Sequence, residues 1–227
     1  MTTGYFARLA WLAGEPVANV RLQVDGGRFT AVDVGAVPGP SDRRLPGLVL
    51  PGFANTHSHA FHRALRGRTH DQGGTFWTWR ERMYHVSGVL DPDRYFLLAR
   101  AVFAEMALAG VCSVGEFHYL HNAPGGVPYE DPNAMGRAIV HAAAEAGVRV
   151  TVLDACYLAG GLRPDGPLPL APPQQRFSDG SADAWRRRVE DFGPLPAHAR
   201  LGAAVHSVRA VPRAALGPVV DWADGGL

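Results

Sequence analysis

The alternation of apolar and polar positions changes its rhythm once along this chain. Over residues 1–48 the apolar positions alternate with polar ones. Ala18 to Val24 and Phe29 to Val34 read as strands, and Gly26-Gly27 between them reads as a turn. This segment is expected to be a small β-unit. From Leu48 onward, short apolar runs alternate with segments of helical spacing. Leu48-Val49-Leu50 leads through Pro51-Gly52 into the next stretch, and further strands are expected at Val111 to Phe117, Val148 to Cys156 and Leu201 to His206. A helix is expected near Arg94 to Leu108, with Asp91 as N-cap and Pro92 at the first position. Phe96, Ala99, Phe103 and Met106 keep helical spacing, and Gly110 is placed to end the helix. Further helices are expected from about Pro132 to Ala146, from a Ser181 cap to about Phe192, and from Pro212 through Trp222, with a Pro- and Gly-rich loop over Gly160 to Pro173.

Four strand–helix units in series imply an α/β fold with a parallel sheet and helical crossovers. Two architectures satisfy that pattern, an open doubly wound sheet and a (β/α)8 barrel. A barrel takes ~250 residues, and roughly 180 follow residue 48. A barrel here would therefore be the first half of one, with residues 1–48 as one domain and 49–227 as the other.

Composition narrows the classes. With 47% hydrophobic residues among 227, the chain can bury a core, which excludes a disordered segment. A formal charge of +1 gives no electrostatic case for nucleic acid or an anionic membrane. Cys112 and Cys156 lie far apart without CxxC spacing. They read as small buried apolar residues in a reducing cytoplasm. Met1 to Pro16 shows no basic segment followed by an apolar core, so no signal peptide is expected, and no apolar run is long enough to cross a bilayer. Every basic side chain is Arg; Lys is absent. That removes Schiff-base chemistry and a carbamylated lysine bridging two metals.

The sharpest chemical feature is His57-Ser58-His59 after a strand. Alternation along a strand turns both imidazoles to one side, where they can share a divalent metal. The stretch Leu50-Pro51-Gly52-Phe53-Ala54-Asn55-Thr56-His57-Ser58-His59 resembles the first-strand signature of the amidohydrolase superfamily. Three further stretches resemble the formimidoylglutamate deiminases within it, in order and at similar spacing. They are Phe76-Trp77-Thr78-Trp79-Arg80-Glu81-Arg82-Met83-Tyr84, Glu116-Phe117-His118-Tyr119-Leu120-His121 and His206-Ser207-Val208-Arg209-Ala210-Val211.

The resemblance implies a (β/α)8 barrel flanked by a small β-sandwich built from both chain ends. It implies one zinc ion per active site, held in this chain by His57 and His59. It also implies a small dicarboxylate substrate contacted by Arg80, Tyr119, His206 and Arg209. The reaction implied is metal-assisted hydrolysis of N-formimino-L-glutamate to N-formyl-L-glutamate and ammonia, in histidine breakdown. Guanidinium forks suit such a substrate, since each can pair with a carboxylate through two hydrogen bonds. At one position the family carries Gln and this chain carries His62, also a pocket residue. An imidazole replaces one amide donor but cannot donate and accept in the same geometry, so His62 bears on selectivity. The remaining metal ligands and the acid/base groups would come from strands beyond Leu227. No catalytic role therefore falls on this chain, and residues 1–227 alone are expected to be inactive unless two copies close one ring as a homodimer.

Plainer readings compete. Arg80 and Arg209 could be surface arginines, Trp77 and Trp79 packing residues, and His206 a core histidine. In an unbroken strand His206 and Arg209 face opposite ways, so both reach one pocket only if the chain bends near Ser207. Arg186-Arg187-Arg188 reads as a solvated helix face. His118 and His121 are not paired ligands on strand parity, and Glu116 has no assigned role. The alternatives in function are another amidohydrolase deaminase, acting on a nucleobase or an S-adenosylhomocysteine-type substrate, and a non-catalytic half-barrel that binds a metal or a partner.

Overall fold

A computed structural model describes residues 2–69 and 74–225, which divide into two compact units, Met1–Gly52 and Phe53–Leu227. The first unit is a four-stranded sheet ordered β3-β2-β1-β4, with β1 at Thr3–Leu12, β2 at Glu15–Asp25, β3 at Arg28–Val34 and β4 at Arg43–Val49. Strands β1, β2 and β3 form an antiparallel meander, and β4 lies parallel to β1. Ala7, Ala10, Val20 and Leu22 make its core. Strand β1 has no counterpart in the sequence reading. It turns into β2 through Ala13-Gly14, both at positive φ (51° and 95°), where a hairpin usually advertises itself with Asn-Gly. Leu48 and Val49 pair with Leu9 and Ala10 of β1, so the apolar run at Leu48 closes the first unit instead of opening the second.

The second unit is a parallel sheet ordered β10-β7-β6-β5, made of β5 (Phe53–Ser58), β6 (Val111–His118), β7 (Arg149–Cys156) and β10 (Ala199–Val205). Between β5 and β6 run α1 (Phe76–Val89) and α2 (Pro92–Leu108), and between β6 and β7 runs α3 (Ala134–Ala146). A short hairpin, β8 (Gly161–Arg163) with β9 (Gly166–Leu168), and α4 (Ala182–Glu190) separate β7 from β10, and α5 (Gly217–Gly225) follows. The α/β class with parallel strands is the one the apolar pattern implied. Local signals placed the ends well. Asp91 caps α2 by accepting from the Arg94 N–H at 2.8 Å, Ser181 caps α4 through the Ala184 N–H at 3.1 Å, and Gly147 closes α3 in the left-handed region. Phe61, Tyr95, Phe103, Met135, Ile139 and Val152 anchor the core between sheet and helices. No helix among the described residues is long and apolar enough to cross a membrane.

Both cysteines are free. Cys156 is buried as expected, but Cys112 is exposed. Phe53 pairs with Val111 and Ala54 with Ser113, so the ladder skips Cys112 and leaves it outside the packed face.

Candidate functional site

At the C-terminal end of β5 the ladder is irregular. Asn55 pairs with Val114 and Ser58 with Glu116, so two residues of β5 (Thr56 and His57) oppose one of β6, Gly115. This is a bulge, which re-aims side chains at a strand end. It needs Gly115, because a Cβ there would lie 3.0 Å from the Thr56 carbonyl oxygen. Gly115→Ala should therefore push β5 from β6 and cost about 1–3 kcal/mol, read as a lower urea midpoint. An unchanged midpoint would show that the bulge yields freely.

From the bulge, the His57 and His59 imidazoles converge, with their Nε2 atoms 2.9 Å apart. The His59 Nδ1 lies 3.2 Å from the Phe117 carbonyl oxygen, which can only accept. That bond assigns the proton to Nδ1 and leaves the Nε2 lone pair facing His57. Burial, then repulsion from His57, pulls the His59 pKa below its ordinary value, which keeps the ring neutral and able to ligate. Two imidazole lone pairs this close suit a shared divalent cation, and this donor set fits zinc.

His59 opens onto a cavity of about 200 Å³ lined by His62, Arg80, Tyr119, His206 and Arg209 among others. All five pocket residues read from the sequence therefore share one cavity. His62 stacks on His59 with ring centroids 4.6 Å apart, and its Nε2 lies 2.7 Å from the Tyr119 hydroxyl. Burial and the surrounding histidines bring the His62 pKa down to about 3, and burial with His59 and Arg209 brings His206 to about 4. Both rings are thus uncharged donors or acceptors at neutral pH. The bend required for His206 and Arg209 is present. Strand β10 stops at Val205, and the Ala210 and Val211 N–H groups both donate to the Ser207 carbonyl at 3.0 Å.

Arg80 is carried by α1, a helix the sequence reading did not separate. Its apolar residues form no single stripe, since Met83 alone among them is buried, together with the polar Ser87. Thr75 and Thr78 start it by exchanging side-chain and backbone hydrogen bonds. Arg176 finishes it, donating to the Ser87 carbonyl and to the Leu90 carbonyl at 2.9 Å. The Arg80 guanidinium lies over the Trp77 ring, 4.6 Å from its centroid, and its buried Nε has no hydrogen-bond partner. Among the described residues no carboxylate pairs with Arg80 or Arg209. Trp79 packs edge-on to His62 at 5.2 Å, as a wall of the cavity.

The solvated reading of Arg188 needs correction, and the structure gives His118, His121 and Glu116 neighbours that the sequence did not show. Arg188 is not solvated. It sits one turn after the buried Trp185 on the inner face of α4 and is itself buried, with bonds to Asp154 at 2.8 and 3.0 Å and to Asp179 at 2.7 and 3.0 Å. His118 and His121 do come together, with ring centroids 4.9 Å apart, because β6 ends at His118 and the chain turns before His121. With Asp154 they place three ligand atoms within 4.8 Å of one another. This is an ion-pair core and not a cation site. Both Asp154 oxygens already accept from Arg188, and one also from Trp185 Nε1 at 2.8 Å, so a metal would displace a buried guanidinium. Glu116, unassigned from sequence, is fully buried beneath His59. Its Oε1 accepts from the Ala60 N–H at 2.5 Å, while Oε2 has no partner. Burial drives its pKa up to about 7, against the hydrogen bonds from Ser58 and Ala60.

The amidohydrolase family profile matches residues 48–213, a span that includes every element of this site. The chain belongs to the amidohydrolase family. This amidohydrolase chain is 36% identical over 211 residues to formimidoylglutamate deiminase of Pseudomonas aeruginosa, covering 91% of this chain and 46% of that protein, whose N-terminal part it matches. Isoxanthopterin deaminase from an unknown prokaryote is 27% identical across 50% of this chain and 28% of its own length. Among solved structures, an amidohydrolase from Brucella melitensis superposes with a TM-score of 0.83 at 33% identity, over 96% of this chain and 49% of that one. Atrazine chlorohydrolase from Arthrobacter aurescens, solved with zinc, shares the fold at 18% identity with a TM-score of 0.72, over 97% of this chain and 51% of that one. The chain thus spans about half the length of the Pseudomonas aeruginosa deiminase and of the two solved structures.

Proposed function

We propose that this chain forms the first half of the (β/α)8 barrel, with part of the flanking β-sandwich, of an enzyme that hydrolyses N-formimino-L-glutamate. One observation carries the reading: a single cavity is lined by His59, whose ring converges with that of His57, and by Arg80 and Arg209, which have no carboxylate partner among the described residues. Arg80 and Arg209 line that cavity together with Tyr84 and Tyr157. A substrate with two carboxylates answers that charge. The likeness to the Pseudomonas aeruginosa deiminase supports the same substrate.

In this reading His57 and His59 hold the metal. A zinc ion there supplies Lewis-acid activation of water for hydrolysis. The chain's own residues bind and orient. Arg80 and Arg209 take the carboxylates. Tyr119, held by His62, and the neutral His206 direct hydrogen bonds at the substrate, and the aromatic wall of Trp79, Tyr84, Tyr157 and Phe177 excludes water.

The test is a substrate panel on an enzyme of the relatives' full length that carries this chain. Arg209→Met and Arg80→Met should each lower kcat/KM for formimino-glutamate roughly ten- to a hundred-fold, from the loss of about 1.5–3 kcal/mol in a charged hydrogen bond. Unchanged kinetics in both variants would show that neither arginine holds a substrate carboxylate. The aromatic wall favours a second reading, a deaminase of a flat heteroaromatic ring, as in the isoxanthopterin relative. Faster turnover of such a ring than of formimino-glutamate, unaffected by either arginine, would select it.

A further inference from the structure

We propose that Glu116 is the positioning residue for the His59 metal ligand, gripping the chain on both sides of that histidine. The inference rests on the metal reading of His57 and His59. Regular pairing of β5 with β6 ends at Ser58–Glu116, so no ladder bond fixes the backbone at His59, whose φ and ψ of −131° and 87° belong to neither strand nor helix. The Glu116 carboxylate takes over there. It accepts the Ala60 N–H, at 2.5 Å, on one side of His59, and its residue pairs with Ser58 across the ladder on the other. The next residue of β6, Phe117, accepts the His59 Nδ1–H through its carbonyl. Two consecutive residues of one strand thus set the backbone, the ring orientation and the tautomer of a single ligand.

A buried carboxylate with one unpartnered oxygen is costly. Its geometric return is at His59. Outer contacts that orient a ligating histidine typically govern metal affinity by 10–100-fold.

The experiment measures zinc affinity by competition with a chromophoric chelator, and the visible spectrum of the cobalt(II)-substituted protein, in an enzyme of the relatives' full length that carries this chain. Glu116→Gln keeps an acceptor for the Ala60 N–H, so affinity and spectrum should stay close to those of the unsubstituted enzyme. Glu116→Met fills the same space without an acceptor. It should weaken zinc binding by roughly 10–100-fold and alter the cobalt bands. Ile139→Ala, a buried change on α3, supplies the control: it should lower stability with zinc affinity intact. Native affinity in Glu116→Met, or equal weakening in Ile139→Ala, would overturn the positioning role while leaving the metal site standing. Absence of tight zinc binding in the unsubstituted enzyme would overturn the metal reading and this inference with it.

Discussion

His59→Ala, in an enzyme of the relatives' full length, should leave zinc bound too weakly to survive dialysis. kcat/KM should fall by more than the roughly 100-fold expected for loss of an outer contact. The reason is arithmetic in ligands. Zinc sites with catalytic function use three protein ligands, and this chain offers the converging pair His57 and His59. Removing His59 also removes the ring that His62 stacks on, at 4.6 Å, and frees the Phe117 carbonyl. His57→Ala should act in the same direction, but without loosening His62. Metal content by atomic absorption and kinetics at saturating zinc would check both. A variant that retains a full equivalent of metal and its rate would remove His59 from the site.

Asp154→Ala should be the most destabilising single change in the second unit, at about 3–5 kcal/mol. It deletes the carboxylate that accepts from Arg188 and Trp185 and leaves a buried guanidinium with Asp179 as its remaining ion-pair partner. The effect carries a pH signature. Burial by itself would raise the Asp154 pKa. The Arg188 guanidinium outweighs burial, and the carboxyl is held well below the usual carboxylate range. A carboxyl depressed in the folded state stabilises fully above its unfolded pKa of about 3.9 and loses that contribution as pH falls toward the folded value. The stability gap between the natural protein and Asp154→Ala should therefore be flat from neutral pH to about 5, and narrow below about 4. Urea unfolding across that range reads it. A gap that widened on acidification would contradict the ion-pair account.

What could be read from the sequence depended on how local the cause is. Asp91, Ser181 and Gly147 act within one helical turn of themselves, and the structure places them where their chemistry predicts. His57-Ser58-His59 was legible because its partner is two residues away. His62, Arg80, Tyr119, His206 and Arg209 were legible only through resemblance, since their meeting depends on three strand ends and a helix. Arg188 shows the opposite limit. Three arginines in a row look solvated, and only the depth of α4 and the carboxylates 34 and 9 residues away show that the third is buried. Parity misled at His121 because it assumes a strand that continues, and β6 had already ended. Glu116 gave no signal, because its partners, Ser58 and Ala60, are held to it by a ladder that has one residue too many on one side.

That extra residue puts β5 out of phase with itself. Ala54 and Asn55 keep one count against β6, and Ser58 keeps another. Deleting Thr56 would give a regular ladder from Ala54 to Ser58 and take away the bulge that aims His57. Apart from His57 and His59, the segment should therefore tolerate substitutions more readily than changes of length.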